Sequence, residues 1–215
     1  MTQKANRGFQ LLALAGLMLL TACIGPQGKP QDGGATYYLS AAIPSMSGNA
    51  KLVPAATLPA ATVLVSPMRA HPGFDTSRMA YLREPNRLEY FAHNQWVEAP
   101  ARMLTPLVVQ ALEASSVYSA VVQASSSVPA PLRLDTELIQ LAQDFSAHPS
   151  RMRLQVRAQL VDVQTQTIRA GRVFEVQAAS ASEDARGGVA ALNHVLPEML
   201  TQLAEWAAQA SVPRP

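Results

Sequence analysis

The sequence predicts an α+β fold. It reads as a single domain in which an antiparallel β-sheet carries two helices packed on one face, behind an export leader and a flexible tether. Two observations predict the sheet and helices. Leu132 to Phe145 and Arg151 to Gln164 alternate apolar and polar residues with period two, the mark of a sheet wet on one side. Two other segments repeat apolar residues at intervals of three and four, the mark of a helix with one buried stripe. A third observation, the character of residues 1 to 23, sets the compartment.

Met1 to Thr21 carries the cations Lys4 and Arg7, and an apolar run from Leu11 to Leu20 follows. A basic segment, a short apolar run and small residues before a cleavage point make a secretory signal. The run is too short to span a bilayer core of about 30 Å, which needs roughly 20 apolar residues. Leu20-Thr21-Ala22-Cys23 is similar to a bacterial lipobox at all four positions. Residues 1–22 therefore read as a cleaved lipoprotein signal peptide, with Cys23 as the lipidation site. Cys23 is the only cysteine, so no internal disulfide can form and core packing must hold the body together. One acyl chain binds a membrane marginally and two or more anchor stably. The three chains of a mature lipoprotein, diacylglycerol plus an amide-linked acyl group such as palmitate, would hold this chain firmly. The residue after Cys23 is Ile24 rather than Asp, which by the sorting rule of enteric-type bacteria implies the periplasmic side of the outer membrane.

Residues 23–35 then read as lipidated cysteine and tether. Gly25, Pro26, Gly28, Pro30, Gly33 and Gly34 break any apolar period, and about twelve such residues reach roughly 20 Å as a coil. The body, residues 36–211, opens with a β-prone strand at Thr36 to Ser40. Pro44 to Pro59 reads as a loop. Ala61 to Arg69, between Pro59 and Pro67, reads as a buried strand. Arg78 to Arg83 and Arg87 to Ala92 form a hairpin around Glu84-Pro85-Asn86. Pro100 to Ser115 is helical; either Thr105 caps it with Pro106 in its first turn, or Pro106 kinks it. Tyr118 to Val122 is a short strand. The two long alternating strands slip phase at Leu138-Ile139 and Leu160-Val161, where a β-bulge is the usual cause. Ile168 to Ala178 continues the meander, after a turn at Gln164 to Thr167 that lacks Gly or Asn. Val189, Leu192, Leu196, Met199, Leu203 and Trp206 form the stripe of a terminal helix that Pro197 should kink.

Composition narrows the function classes. Charged residues are 15% of the chain and the net charge is +2, with no Lys/Arg stripe, so no nucleic-acid partner is expected. There is no phosphate-binding G-x-x-x-x-G-K-[ST] and no G-x-S-x-G nucleophile elbow. His71, His93, His148 and His194 stand singly, without ligand spacing. No catalytic residue, cofactor or metal is expected. Gly187-Gly188 reads as a helix-entry turn. Asp135 and Glu137 can face Gln159 and Arg157 across the first long hairpin, as part of a solvated face.

Tyr37-Tyr38-Leu39, the strand Val63 to Arg69, Phe74-Asp75, Met79 to Arg83, Asn94-Gln95-Trp96, the helix ending Leu112-Glu113-Ala114, Leu134-Asp135, the strand Arg151 to Val163 and the terminal helix together resemble the ABC-type transport auxiliary lipoprotein family. The resemblance covers most of the mature chain, and none of its motifs is catalytic. It implies a non-enzymatic component of an MCE-type lipid ABC transport system. Its partners would be an MCE-domain protein, the permease and the ATPase, with the membrane reached through acyl chains on Cys23. It leaves homo-oligomerisation open. Trp96 is the first candidate docking contact, since exposed Trp is enriched at hot spots; the competing reading is that it caps the core beside the Pro100 helix. Tyr81 and Arg83 on the hairpin are further candidates. A stand-alone envelope lipoprotein and a periplasmic lipid carrier are the alternatives.

Overall fold

The computed structural model describes residues 34–43, 61–123 and 128–212. The signal peptide, Cys23, most of the tether and the Pro44 to Pro59 loop lie outside the described residues. In chain order the elements are β1 (Thr36–Tyr37), β2 (Thr62–Val65), β3 (Arg69–Ala70), a 3-10 turn (Pro72–Phe74), β4 (Arg78–Leu82), β5 (Leu88–Trp96), α1 (Pro100–Ala114), β6 (Ala120–Gln123), β7 (Leu132–Asp144), β8 (Arg151–Asp162), β9 (Thr167–Ala179) and α2 (Ala185–Ser211). The strands form one sheet, with α1 packed on β6 and β7, and α2 on β8, β9 and α1. The α+β class, single domain and two-helix layer are as the sequence predicts.

The sheet is mixed. Its hairpin-linked pairs, β4/β5, β7/β8 and β8/β9, are antiparallel. On the other side of β7 lies a column made of three fragments, all parallel to β7. Val63 to Val65 of β2 pair with Leu132 to Leu134, Arg69 and Ala70 of β3 with Glu137 and Leu138, and Tyr81 and Leu82 of β4 with Gln143 and Asp144. Outside this column, β6 adds to β2 and β5 to β4, and β1 then runs parallel to β5. The column breaks between β2 and β3 for a local reason. Pro67 has no N–H, and the Met68 N–H goes to Thr105 Oγ1 on α1 at 3.1 Å rather than to β7.

Alternation selects the core. Leu134, Leu138, Leu154, Val156 and Leu160 are fully buried beneath Leu104 and Leu112 of α1 and Leu196 and Leu203 of α2. Both phase slips are bulges. The β7/β8 register jumps between Leu138 and Gln140, leaving Ile139 extra. At Leu160/Val161 the extra residue is on the partner strand: Leu160 faces Ala170 and Val161 faces Ile168, so Arg169 is unpaired. The intervening turn needs no Gly because Asp162 Oδ1 accepts from the N–H groups of Gln164 and Thr165, and Gln166 takes the left-handed conformation at φ 56°.

The helix boundaries differ from the Thr105 expectation. Ala99 is the N-cap of α1 and Pro100 occupies its first turn, where a missing N–H costs nothing. Thr105 instead donates its hydroxyl to the Ala101 carbonyl at 2.9 Å. The helix continues through Pro106; this residue and Arg102, whose carbonyl loses its helical donor, are both exposed, so water can substitute. α2 likewise continues through Pro197. Asp184 caps it, accepting from Gly187 N at 2.7 Å.

Candidate functional site

The helix-free face of the sheet presents its charges in internally paired sets. Arg157 pairs with Glu137, which His71 Nε2 also approaches at 3.4 Å. Arg153 reaches Asp144 at 3.2 Å and Glu175 at 3.9 Å. Glu137 and Arg157 are cross-strand partners in the register, as alternation predicts; Asp135 faces Gln159 but bonds elsewhere. Arg133 holds Asp135 through both carboxylate oxygens, and Ser66 Oγ donates to it at 2.6 Å. Burial pushes the Asp135 carboxyl up, but Arg133, Ser66 and the charge of Arg69 outweigh it and hold it below the usual carboxylate range. At the β2/β3 break, Leu64, Pro67, Arg69 and Asp135 border an open cleft of about 490 Å³ with a mixed, partly charged lining.

Trp96 is a correction. It is 2% exposed and belongs to the core cluster, so its ring is not available to a partner; of the two readings the sequence supports, core capping holds and docking does not. Its backbone N–H donates to the Ser77 carbonyl at 2.7 Å. The polar residues before it, His93, Asn94 and Gln95, belong to β5 rather than to a loop.

Tyr81 and Arg83 do come together at the surface. Tyr81 packs edge-to-face with Phe91 (centroids 4.9 Å apart) and Phe145 (5.9 Å), and the Arg83 guanidinium lies 5.2 Å from the Tyr81 centroid. Tyr81 Oη donates to Glu89 Oε2 at 2.7 Å, which pushes the phenol above its ordinary range, with burial adding to the effect. Arg87 Nε meets the same carboxylate at 3.1 Å. The turn between β4 and β5 places Asn86 in the left-handed region at φ 64°, which Asn tolerates. The cluster therefore combines half-buried aromatic rings with cations, the composition of an interface anchor. The sequence marked Tyr81 and Arg83 but missed Phe91 and Phe145. Phe145 arrives only because β4 pairs with β7, its N–H donating to the Leu82 carbonyl at 2.8 Å.

Gly187-Gly188 is a packing device. A Cβ on Gly188 would lie 2.6 Å from Gln143 Oε1. Gln143 is buried and donates to Ser150 Oγ and Ser180 Oγ at 2.9 and 3.3 Å, tying β7 to the start of β8 and the end of β9. Among the described residues there is no cluster of three or more His, Cys, Asp or Glu able to hold a metal, and no helix long and apolar enough to cross a membrane.

A family model described as ABC-type transport auxiliary lipoprotein component matches residues 37–204. Comparison with curated proteins returns no match. Among solved structures, a Xanthomonas campestris protein of the family DUF330 shares 21% identity at TM-score 0.70, covering 82% of this chain and 96% of that one. An uncharacterised protein shares 14% at TM-score 0.54, covering 69% and 90%. The lipoprotein GNA1162 from Neisseria meningitidis shares 14% at TM-score 0.38, covering 67% and 98%. The first two show a shared fold.

Proposed function

Because this chain belongs to the ABC-type transport auxiliary lipoprotein family, we propose that it is the outer-membrane-anchored auxiliary lipoprotein of an MCE-type lipid ABC transport system, and that it acts by docking rather than by catalysis. The observation that carries this reading is the family match, which runs from the first strand into α2. The lipobox ending at Cys23 supports the anchor, and Ile24 after it supports the outer membrane. The partner is the MCE-domain protein, joined through it to the permease and ATPase. The contact is the aromatic-cation cluster around Tyr81 and Arg83. A standard interface takes about 800 Å² per partner, which one small domain can supply.

The test is co-purification from crosslinked envelopes with and without Cys23→Ser and Tyr81→Ala/Arg83→Glu. The intact protein should recover the MCE-domain protein. The cluster variant should lose recovery while remaining folded, and Cys23→Ser should leave the membrane pellet. Recovery of no MCE or permease subunit, with no lipid-barrier defect on deletion, would establish a stand-alone envelope lipoprotein instead.

A further inference from the structure

The N-terminal segment is fastened to the body at three places. Ala35 and Tyr37 accept from the N–H groups of Gln95 and Val97 on the β5 side at 3.0 and 2.7 Å, and the Ala35 N–H donates to Asn94 Oδ1 at 3.2 Å. Beyond β1 the segment crosses to α2. There Asn193 Nδ2 donates to the Tyr38 carbonyl and Oδ1 accepts from Ser40 N, so one side-chain amide serves both groups as a neighbouring strand would. Leu39, between them, is buried in the core. Gly34 enters so close to β5 that a Cβ would lie 2.2 Å from the His93 carbonyl oxygen. The point at which the chain leaves the body toward Cys23 is thus fixed.

Two large apolar side chains stand exposed at the far end of the same short edge, four residues on from Gly34. The β1/β5 register pairs Tyr37 with Trp96, which face inward; Tyr38 and Val97, the residues that follow the two strands, are 65% and 63% exposed. Glu98, next along, is neutralised by Arg102 at 3.2 Å. Even a fully extended chain, at about 3.5 Å per residue, keeps Gly34 within about 40 Å and Tyr38 within about 50 Å of an acylated cysteine. Tyr suits a boundary with one apolar and one wet side.

We infer that the β1–β5 edge, through Tyr38 and Val97, rests on the lipid surface beside the acyl anchor and sets which face of the body points away from the membrane. The occupant is the headgroup region of the bilayer that holds the chain. This rests on the acylated-anchor reading of Cys23. It leaves the opposite edge strand β9, with its exposed Ile168 and Val173, facing solvent.

The experiment uses the full chain, expressed with its signal and purified acylated, in vesicles of phosphatidylethanolamine and phosphatidylglycerol. Acylation consumes the Cys23 thiol, so Val97→Cys provides a single site for an environment-sensitive fluorophore, and Ile168→Cys a control at the far edge. The expected result is a blue shift of the Val97→Cys probe and loss of its emission with nitroxide-labelled lipid, both absent at Ile168→Cys and abolished by detergent. Equal, water-like emission at both sites of an acylated chain overturns the inference alone. A shift that appears only at high protein density, and without lipid quenching, overturns it in favour of a second copy of the chain. A mass without the diacylglyceryl group overturns the anchor reading and this inference with it.

Discussion

β7, β8 and β9 are long strands joined by short turns, whereas the column on the other side of β7 is spliced from β2, β3 and β4 with loops and a 3-10 turn between them. In the meander, neighbours in space are neighbours in sequence, and backbone ladders do the pairing. In the spliced column, pairing is parallel and long-range, and a side chain fills the break between β2 and β3: Thr105 takes the N–H of Met68. A protein built this way carries its rigid scaffold at one side. The Tyr81 cluster and the β1–β5 edge lie at the other.

The strongest way to break the comparison is to remove a core side chain from each side. Trp96→Ala should cost about 3–5 kcal/mol and Leu196→Ala about 2–5 kcal/mol, because each leaves a cavity among fully packed neighbours. Urea unfolding followed by far-ultraviolet circular dichroism measures both. One cooperative transition in each variant shows that the spliced column and the meander unfold together. A second, earlier transition in Trp96→Ala alone would show two units of unequal stability.

Gly188→Ala tests the junction between the meander and α2. The added methyl would collide with the buried Gln143 amide, so a cost of about 1–3 kcal/mol is expected, as for overpacking elsewhere. In most exposed helix positions the same change stabilises. An unchanged urea midpoint would show that Gln143 can move aside without losing Ser150 and Ser180.

What was legible in the sequence follows the same division. The alternation of Leu132 to Leu138 and of Met152 to Leu160 gave the strands, their buried face and both bulges, because period two and its slips are local signals. Even there, the sequence could not show that the second bulge inserts Arg169 of β9, since that depends on the partner strand. The splicing of β2, β3 and β4 was not legible: two- to five-residue strands carry little periodicity, and only β7 brings them into line. Tyr81 and Arg83 were found on the hairpin, yet Phe145 completes their cluster from far along the chain. For Trp96 the sequence offered both a docking contact and a core cap, because a polar tripeptide before it says nothing about which face of β5 it takes; the core cap is what the fold shows.

Asn193→Ala should have a smaller, local effect. Hydrogen bonds typically contribute about 0.5–1.5 kcal/mol each, and these two are at the surface, so about 1 kcal/mol in total is expected. Hydrogen exchange separates this from global destabilisation: the Ser40 amide should exchange faster while amides of β7 and β8 keep their protection relative to global stability. Uniform acceleration across both would mean that the N-terminal segment and the meander open together.

The smallest effect concerns pH and one bulge. Arg169, unpaired in the β9 ladder, donates through Nε and Nη2 to Asp162 Oδ2 and through Nη1 to the Ser211 carbonyl at the end of α2. The bulge thus aims one cation at both the turn and a helix C-terminus, where positive charge is favoured. The Arg169 hydrogen bond, then the backbone N–H of Thr165, lower Asp162 to about 2. A carboxylate depressed below its unfolded value of about 3.9 adds stability that is full above that value and is lost as pH falls toward 2. Asp162→Asn keeps an oxygen for the Gln164 and Thr165 N–H groups while removing the charge. The variant should therefore melt below the wild type at pH 7, converge on it near pH 2, and show a shallower slope between about 4 and 2. Asp135 and Asp144, also held below their ordinary range, supply a background slope that both proteins share. Parallel melting curves with an undiminished gap at pH 2 would mean that Asp162 works through turn geometry alone. The bulge would then serve the helix end rather than the charge pair.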